Sequence, residues 1–225
     1  LLAEGYEVFG VVRRDPAAYE ANLAPVAGRI GLVEANLLDQ ASLARALRDV
    51  RPHEVYNLAA PSFVPRSWDE PVLTAEFAAV GATSLLEAVR EADGRIRVYQ
   101  ASSSEIFGEP GETPQTAAIS LGRERELVLG DLSARRDWGY AGDYVRAMWL
   151  MLQQDEPGDY VVATGVSHSV EELVAAAFET VGLDWRDHVR SDPSLVRGAA
   201  ELHRLVGDAT KARRVLGWEP EVSFS

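Results

Sequence analysis

Runs of β-forming residues alternate along this chain with amphipathic helical patterns, and the alternation limits the fold more than any other feature. The β-rich runs lie at 7–12, 30–35, 54–60, 96–102, 127–130 and 160–165. Helical patterns lie at 39–50, 71–92, 169–182 and 209–218. Strands separated by helices form βαβ units, which build parallel sheets covered by helices. The sequence therefore predicts an α/β fold with a doubly wound, mostly parallel sheet.

The helical patterns carry signals for where helices begin. Asp39 directly precedes one pattern and suits an N-cap, and Ser169 with Glu172 has the spacing of a capping box. The first residues, LLAEG, read as the end of a helix that stops at Gly5. Strands such as 54–60 lack a clean alternation of apolar and polar residues, which predicts helices on both faces of the sheet.

Composition excludes several kinds of protein. The formal net charge of −13 at pH 7 disfavours nucleic acid and anionic membranes as partners. The chain has no cysteine, and its four histidines are far apart and in no ligand spacing. No apolar run is long enough to suggest a membrane span. We therefore expect a soluble, cytoplasmic protein that binds no metal, nucleic acid or membrane.

Polar residues follow four successive predicted strands. Ligands of doubly wound sheets bind beyond the carboxyl ends of the strands. The residues at these ends are Arg13 and Arg14, then Asn36, then Ser62, and finally the run Ser102 to Glu105. Four polar strand ends in succession predict a binding site along this edge of the sheet.

The two arginines after the first strand bear on the choice of cofactor. An acidic residue at this place binds the ribose 2′-hydroxyl of NAD, whereas arginine accommodates the 2′-phosphate of NADP through charge-assisted hydrogen bonds. Arg13 and Arg14 therefore favour NADP. The alternative is a pair of solvated surface arginines beside Asp15.

The stretch QASSSEIFG, residues 100–108, places a glutamate after three serines. A serine hydroxyl there can orient a hydroxyl of the substrate while Glu105 acts as a general acid or base. The alternative is a serine-rich turn with an exposed glutamate.

Longer stretches of the chain resemble a known enzyme family. RPHEVYNLAAPSFVPRSWDEP (51–71), VYQASSSEIFGE (98–109) and RRDWGYAGDYVRAMWLMLQQ (135–154) are similar to segments of GDP-mannose 4,6-dehydratases, which are extended short-chain dehydrogenases/reductases. The resemblance extends over nearly the whole chain. It implies a Rossmann-type NADP-binding domain, mainly at 1–165, and a smaller α/β substrate lobe, mainly at 166–225, with further substrate contacts from 120–140.

The resemblance also implies roles for single residues. Glu105 is expected to remove the C5 proton of GDP-mannose, and Ser103 to hold the C4 oxygen. The positions that match cofactor contacts are Arg13, Arg14, Asn36, Leu37, Leu58, Ala59, Ala60 and Ser62. The positions expected to contact the substrate are Ser62, Ser104, Arg136, Arg197 and Glu201.

Two motifs of the family have no counterpart in this sequence. They are the glycine-rich loop before LLAEGYEVFG and the Tyr-x-x-x-Lys motif after GETPQT, where Thr116 continues directly into AAISLG. Either both pieces belong to the protein but not to these 225 residues, which we favour, or the chain is a non-catalytic sugar-nucleotide-binding paralogue. A GDP-4-keto-6-deoxyhexose reductase and a sugar-nucleotide epimerase are alternatives within the superfamily.

The helical pattern at 72–92 carries more apolar surface than one side of a sheet needs, and it includes many small residues. In related enzymes this helix pairs across a two-fold axis, so the resemblance implies a homodimer or homotetramer. The alternative is a helix that is simply buried on the sheet.

Overall fold

The computed structural model describes residues 1–13, 23–60, 70–101, 125–195 and 205–224. Contacts divide the chain into two compact units, Leu1–Ala101 and Ser102–Ser225. The functional boundary near residue 165 between a cofactor domain and a substrate lobe stays a prediction.

The first unit contains four short strands in two parallel pairs. They are β1 (Phe9–Val12), β2 (Gly31–Glu34), β3 (Glu54–Asn57) and β4 (Arg97–Gln100). β1 pairs with β2, and β3 pairs with β4. Short 3-10 turns occupy Leu2–Glu4 and Ala24–Val26, and the first ends at Gly5 with a φ of +80°. The prediction of an α/β fold with parallel strands is confirmed.

Helix α1 spans Gln40–Val50 and begins where its capping signal predicts. The Asp39 carboxylate accepts a hydrogen bond from the backbone N–H of Ser42 at 3.2 Å. This bond satisfies a donor that the first helical turn leaves without a partner. Leu43 and Leu47, four residues apart on one face, are buried and anchor the core of this unit.

Helix α2 spans Pro71–Asp93 and includes a π-helical turn over Glu76–Gly81. Its second half packs against α1 through the buried side chains of Leu85 and Val89. Its most apolar window has a mean hydropathy of 1.5, and 22% of that window is buried. The helix is long and apolar enough to cross a membrane. Core helices of soluble proteins can have the same length and composition.

Helices on both faces of β1 and β2 stay a prediction, because residues 14–22, which connect these two strands, lie outside the described residues. Among the described residues of the two strands, Val11 is 63% and Leu32 is 50% exposed. Exposed and half-buried residues therefore alternate along both strands.

The second unit contains two further strand pairs and three helices. β5 (Leu127–Leu129) runs parallel to β8 (Val189–Ser191), and β6 (Arg135–Arg136) runs antiparallel to β7 (His168–Ser169). The helices are α3 (Ala141–Leu152), α4 (Val170–Thr180) and α5 (Thr210–Leu216), with 3-10 turns at Trp185–Asp187 and Pro193–Leu195.

Two features of this unit follow from its sequence. The Ser169 hydroxyl accepts a hydrogen bond from the backbone N–H of Glu172 at 3.0 Å, which confirms the predicted N-cap of α4. Trp218 is fully buried between α3 and α5, and its indole N–H donates to the carbonyl oxygen of Asp143 at 2.8 Å. A buried indole needs such a partner.

The predicted strand at 160–165 does not form. The backbone N–H groups of Thr164 and Gly165 instead donate to the Asp137 carboxylate at 2.9 and 2.8 Å. The N–H of Gly207 donates to the same carboxylate at 3.2 Å. A Cβ placed on Gly207 would lie only 2.3 Å from the Ala163 Cβ, which shows that the backbone of Gly207 lies close to Ala163. Side-chain hydrogen bonds thus replace strand pairing here.

Candidate functional site

A cavity of about 1170 Å³ lies within the first unit and is lined by both strand pairs. Six of the residues that the sequence predicts as cofactor contacts line it, all just beyond the carboxyl ends of β1, β2 and β3. They are Arg13, Asn36, Leu37, Leu58, Ala59 and Ala60. The structure thus brings together residues that are up to 47 positions apart in the sequence.

The turn after β2 is shaped by its own asparagine. The backbone N–H of Asn36 donates to the Ser42 hydroxyl at 3.0 Å, and the Asn36 side-chain oxygen accepts from the N–H of Leu38 at 3.1 Å. Leu37 between them is buried. Its Cβ lies 3.2 Å from where a Cβ on Gly81 of α2 would stand, so the glycine lets α2 approach this turn closely.

The turn after β3 is shaped in a similar way. The buried Asn57 donates from its side-chain nitrogen to the Gln100 side chain at 2.7 Å and accepts from the Ala59 N–H at 3.2 Å. The turn leaves Leu58 60% exposed. Ala59 and Ala60 have small side chains, which allow a ligand to approach the backbone closely.

A cluster of two tyrosines and a glutamate lies in the same cavity, toward the amino end of β3. The hydroxyl groups of Tyr6 and Tyr56 donate to the two oxygens of Glu54, at 3.2 and 2.7 Å. Burial, together with the hydrogen bond to Glu54, raises the pKa of Tyr56 above its ordinary value. Sequence reasoning missed this cluster. The only available signal was Glu54 and Tyr56 two residues apart in a strand, which places them on one face.

Several predicted site residues lie outside the described residues. They are Arg14, Ser62, Ser103, Ser104, Glu105, Arg197 and Glu201. Their catalytic, cofactor and substrate roles stay predictions.

Arg136, the predicted diphosphate contact, lies in the second unit. Its side chain is only 6% exposed, and one terminal nitrogen donates to the carbonyl oxygen of Arg135 at 3.0 Å. Its role toward the substrate also stays a prediction. In the parts of the chain that the structure describes, no three His, Asp or Glu side chains approach one another as metal ligands do.

Comparison with known proteins shows to which family this chain belongs. The profile of the GDP-mannose 4,6 dehydratase family matches residues 1–118 and 116–225. A GDP-mannose 4,6 dehydratase of Arabidopsis thaliana is 37% identical, covering 100% of this chain and 79% of the relative. One from Sinorhizobium fredii is 36% identical, covering 99% and 88%. The fold is similar to that of a UDP-glucose-4-epimerase from Stenotrophomonas maltophila, with a TM-score of 0.83 at 18% identity over 99% of this chain and 88% of that one.

The same comparisons locate where this chain departs from its relatives. The two parts of the profile match meet at 116–118, which is where the Tyr-x-x-x-Lys segment is expected. The alignment to the Arabidopsis relative runs over 294 positions, 69 more than the 225 residues of this chain. The match nevertheless extends from the first residue to the last. The chain belongs to the GDP-mannose 4,6-dehydratase family.

Proposed function

We propose that this protein dehydrates GDP-mannose to GDP-4-keto-6-deoxymannose. The observation that carries the proposal is the match of the family profile to residues 1–118 and 116–225, which together make up the whole chain. The relatives from Arabidopsis thaliana and Sinorhizobium fredii are both GDP-mannose 4,6-dehydratases by name.

The chemistry needs a proton acceptor at C5 of the hexose and a leaving group at C6. We assign C5 deprotonation to Glu105, which is also placed by the motif to assist departure of the C6 hydroxyl as water. Ser103 donates a hydrogen bond to the C4 oxygen, which makes the C5 proton more acidic as C4 becomes a ketone. A bound nicotinamide dinucleotide would supply the reversible hydride acceptor for C4 oxidation and C6 reduction.

The cavity in the first unit fits such a dinucleotide. Arg13, Asn36 and Leu37 stand beyond β1 and β2, where a ribose and its phosphate are held in sheets of this kind. Ala59 and Ala60 beyond β3 allow close approach to the backbone. The epimerase of similar fold was solved with NAD bound. We propose these residues, with Arg14 and Ser62, as the cofactor contacts.

The reaction is tested by incubating the protein with GDP-mannose and NADP⁺ and following products by NMR. We expect the 4-keto-6-deoxy product without net formation of NADPH, because the hydride returns to C6. Glu105→Gln should lower kcat by roughly 10²–10⁴ with little change in GDP-mannose binding, since it removes only proton transfer. Accumulation of NADPH, or near wild-type turnover by the variant, would contradict the assignment.

One observation favours a second function. The break in the match at 116–118 coincides with the lost Tyr-x-x-x-Lys motif, so no residue is assigned to deprotonate the C4 hydroxyl. The second candidate is therefore a sugar-nucleotide-binding protein without turnover. Calorimetry with GDP-mannose, combined with the product assay by NMR, distinguishes the two, because this candidate binds the sugar nucleotide but forms no product.

We further propose that the cofactor is NADP rather than NAD, because Arg13 is exposed at the cavity and offers a charge for the 2′-phosphate. The expected bias is about 1–3 kcal/mol in binding free energy. Titration of the protein with each cofactor measures it, and Arg13→Ala should reduce the bias. Equal dissociation constants for NADP and NAD would overturn this preference.

We also propose that the protein forms a homodimer or homotetramer through the exposed face of α2. We propose a location in the cytoplasm. The dimer is supported by exposed apolar side chains at Val72, Leu73, Val80 and Leu86.

A further inference from the structure

The segment Leu205–Gly207 runs alongside β6. The backbone N–H of Leu205 donates to the carbonyl oxygen of Arg135 at 3.0 Å, and the N–H of Gly207 donates to the Asp137 carboxylate at 3.2 Å. These two contacts are two residues apart in both segments, so the segment follows β6 in register. The other edge of β6 pairs with β7. β6 is therefore held on both sides.

A single oxygen atom connects this segment to Arg136. The carbonyl oxygen of Arg135 accepts from the Leu205 N–H and also from a terminal nitrogen of the Arg136 guanidinium, both at 3.0 Å. A carbonyl oxygen has two lone pairs and can accept both bonds at once. The Arg136 side chain is buried. Because a guanidinium is planar and rigid, a hydrogen bond to a fixed oxygen restricts the directions in which its other N–H groups point.

The carboxylate of Asp137 fixes the chain directly after Arg136. One of its oxygens accepts from the N–H and the hydroxyl of Thr164, and the other accepts from the N–H groups of Gly165 and Gly207. The backbone is therefore fixed immediately before and immediately after Arg136.

Gly207 has to be a glycine for reasons of space. A Cβ placed on it would lie 2.3 Å from the Ala163 Cβ and 3.2 Å from a methyl carbon of Val161. Its backbone does not require the left-handed conformation, because Gly207 is not among the glycines with a positive φ. Ala163 is buried in the core around Trp218. A Cβ atom cannot rotate away from a contact, so alanine at position 207 has to displace the segment.

We propose that Asp137 and Gly207 are positioning residues for Arg136. By fixing the backbone around Arg136, they hold its guanidinium in the orientation that binds the diphosphate of a nucleoside diphosphate sugar. The diphosphate then meets a preorganised guanidinium, and little side-chain freedom is lost on binding. The inference rests on the proposed function and on the diphosphate contact predicted for Arg136.

A purely structural role for these contacts makes a different prediction. If they only stabilise the second unit, their loss lowers the free energy of unfolding and leaves the affinity of the folded protein for a nucleotide unchanged. If they position Arg136, their loss weakens nucleotide binding by the folded protein, and only while Arg136 is present. Affinity is therefore measured at a temperature at which circular dichroism shows every variant to be folded.

Gly207→Ala tests the position of the segment. Calorimetry with GDP, which carries the diphosphate without the sugar, should give a dissociation constant about tenfold higher than that of the wild type. Asp137→Asn should change binding in the same direction. Gly158→Ala is the matched control in the second unit, because its added Cβ would meet only the far end of the Lys211 side chain, at 3.3 Å, and the Tyr160 ring at 3.4 Å. It should bind GDP as the wild type does.

Ala163→Gly provides a rescue of Gly207→Ala. It removes the Cβ that the new alanine would strike, so the double variant should bind GDP within about twofold of Ala163→Gly alone. A double variant that binds as weakly as Gly207→Ala would contradict the steric link and with it the proposal.

The test that separates positioning from stability combines Gly207→Ala with Arg136→Met, which removes the charge and keeps a long side chain. Arg136→Met alone should raise the dissociation constant for GDP at least about tenfold, because it removes a charged donor. If Gly207 acts through Arg136, adding Gly207→Ala to this variant should change the constant by less than about twofold.

Two further results would show that the positioning role is wrong while the proposed function stands. They are a wild type and a Gly207→Ala variant that bind GDP equally well, and effects of Gly207→Ala and Arg136→Met that multiply in the double variant. A wild type that binds neither GDP nor GDP-mannose would overturn the proposed function together with this inference.

Discussion

The carboxylate of Asp137 binds two separate stretches of backbone in the second unit. It accepts from the N–H groups of Thr164, Gly165 and Gly207, and from the hydroxyl of Thr164 at 2.5 Å. A carboxylate can accept at both of its oxygens, whereas an asparagine side chain offers one acceptor and one donor. The charge and shape of this one residue therefore organise the segment that sequence patterns assign to a strand.

We expect Asp137→Asn to lower the free energy of unfolding by about 1–3 kcal/mol, because the amide NH₂ would replace one oxygen and face a backbone donor. Urea denaturation measures the change. Asp155→Asn is the control, since Asp155 is exposed and should lose no more than about 0.5 kcal/mol. Equal stability of the two variants would show that water replaces the lost acceptor.

Whether the contact of a single residue can be predicted from the sequence depends on how many residues separate the two partners in the chain. The Ser169 cap was predictable because its partner, Glu172, is three residues away. The partner of Asp137 at Thr164 is 27 residues away. A β-rich pattern such as YVVATG indicates the backbone conformation that the segment favours locally. It does not indicate which acceptor will bind the N–H groups of the segment.

Two of the described helices, α1 and α4, begin at capping residues that their sequences predict. α1 starts after Asp39, whose carboxylate accepts from the Ser42 N–H at 3.2 Å. The ends of the strands were harder to predict, because the β-rich run at 54–60 forms a strand only over Glu54–Asn57. Asn57 turns its side chain back to the N–H of Ala59 at 3.2 Å, and this bond begins the turn that carries the candidate cofactor contacts.

We expect Asp39→Ala to destabilise the first unit by about 1 kcal/mol, within a range of roughly 0.5–2 kcal/mol, through the lost N-cap. Thermal or urea unfolding of the intact chain provides the measurement. Asp49→Ala in the last turn of α1 is the matched control. It removes an exposed acidic residue from the negative end of the helix dipole, so its effect should be near zero or slightly stabilising. A loss as large as that of Asp39→Ala would argue against capping as the cause.

At the scale of the whole molecule, the candidate site was predictable in outline because one rule about parallel sheets places ligands at carboxyl strand ends. That rule selected Arg13 and Asn36, and both line one cavity together with Leu58, which only the family resemblance had suggested. The rule says nothing about the Tyr6 and Glu54 contact, which depends on how two strand pairs from distant parts of the chain are arranged. It also could not show that residues of both strand pairs line one cavity.

Association through α2 gives the prediction that concerns the molecule as a whole. Val80 lies in the π-helical turn and is 55% exposed, and Val72 of the same helix is 71% exposed. The small residues of this helix permit close packing against another helix. If two copies meet across a two-fold axis on this face, Val80→Glu places two like charges in an apolar contact. We expect a dimer for the wild type by light scattering at micromolar concentration, and a dissociation constant raised at least about tenfold, or about 1.4 kcal/mol, for the variant.

Val166→Glu is the matched control for this experiment, because Val166 is also 55% exposed but lies in the second unit, outside α2. It adds the same charge to a chain that already carries a net charge of −13, so it separates a local effect on the interface from general repulsion. Equal weakening by both variants would assign the effect to net charge. A monomeric wild type, with and without NADP⁺, would show that the apolar face of α2 does not join two copies of this chain.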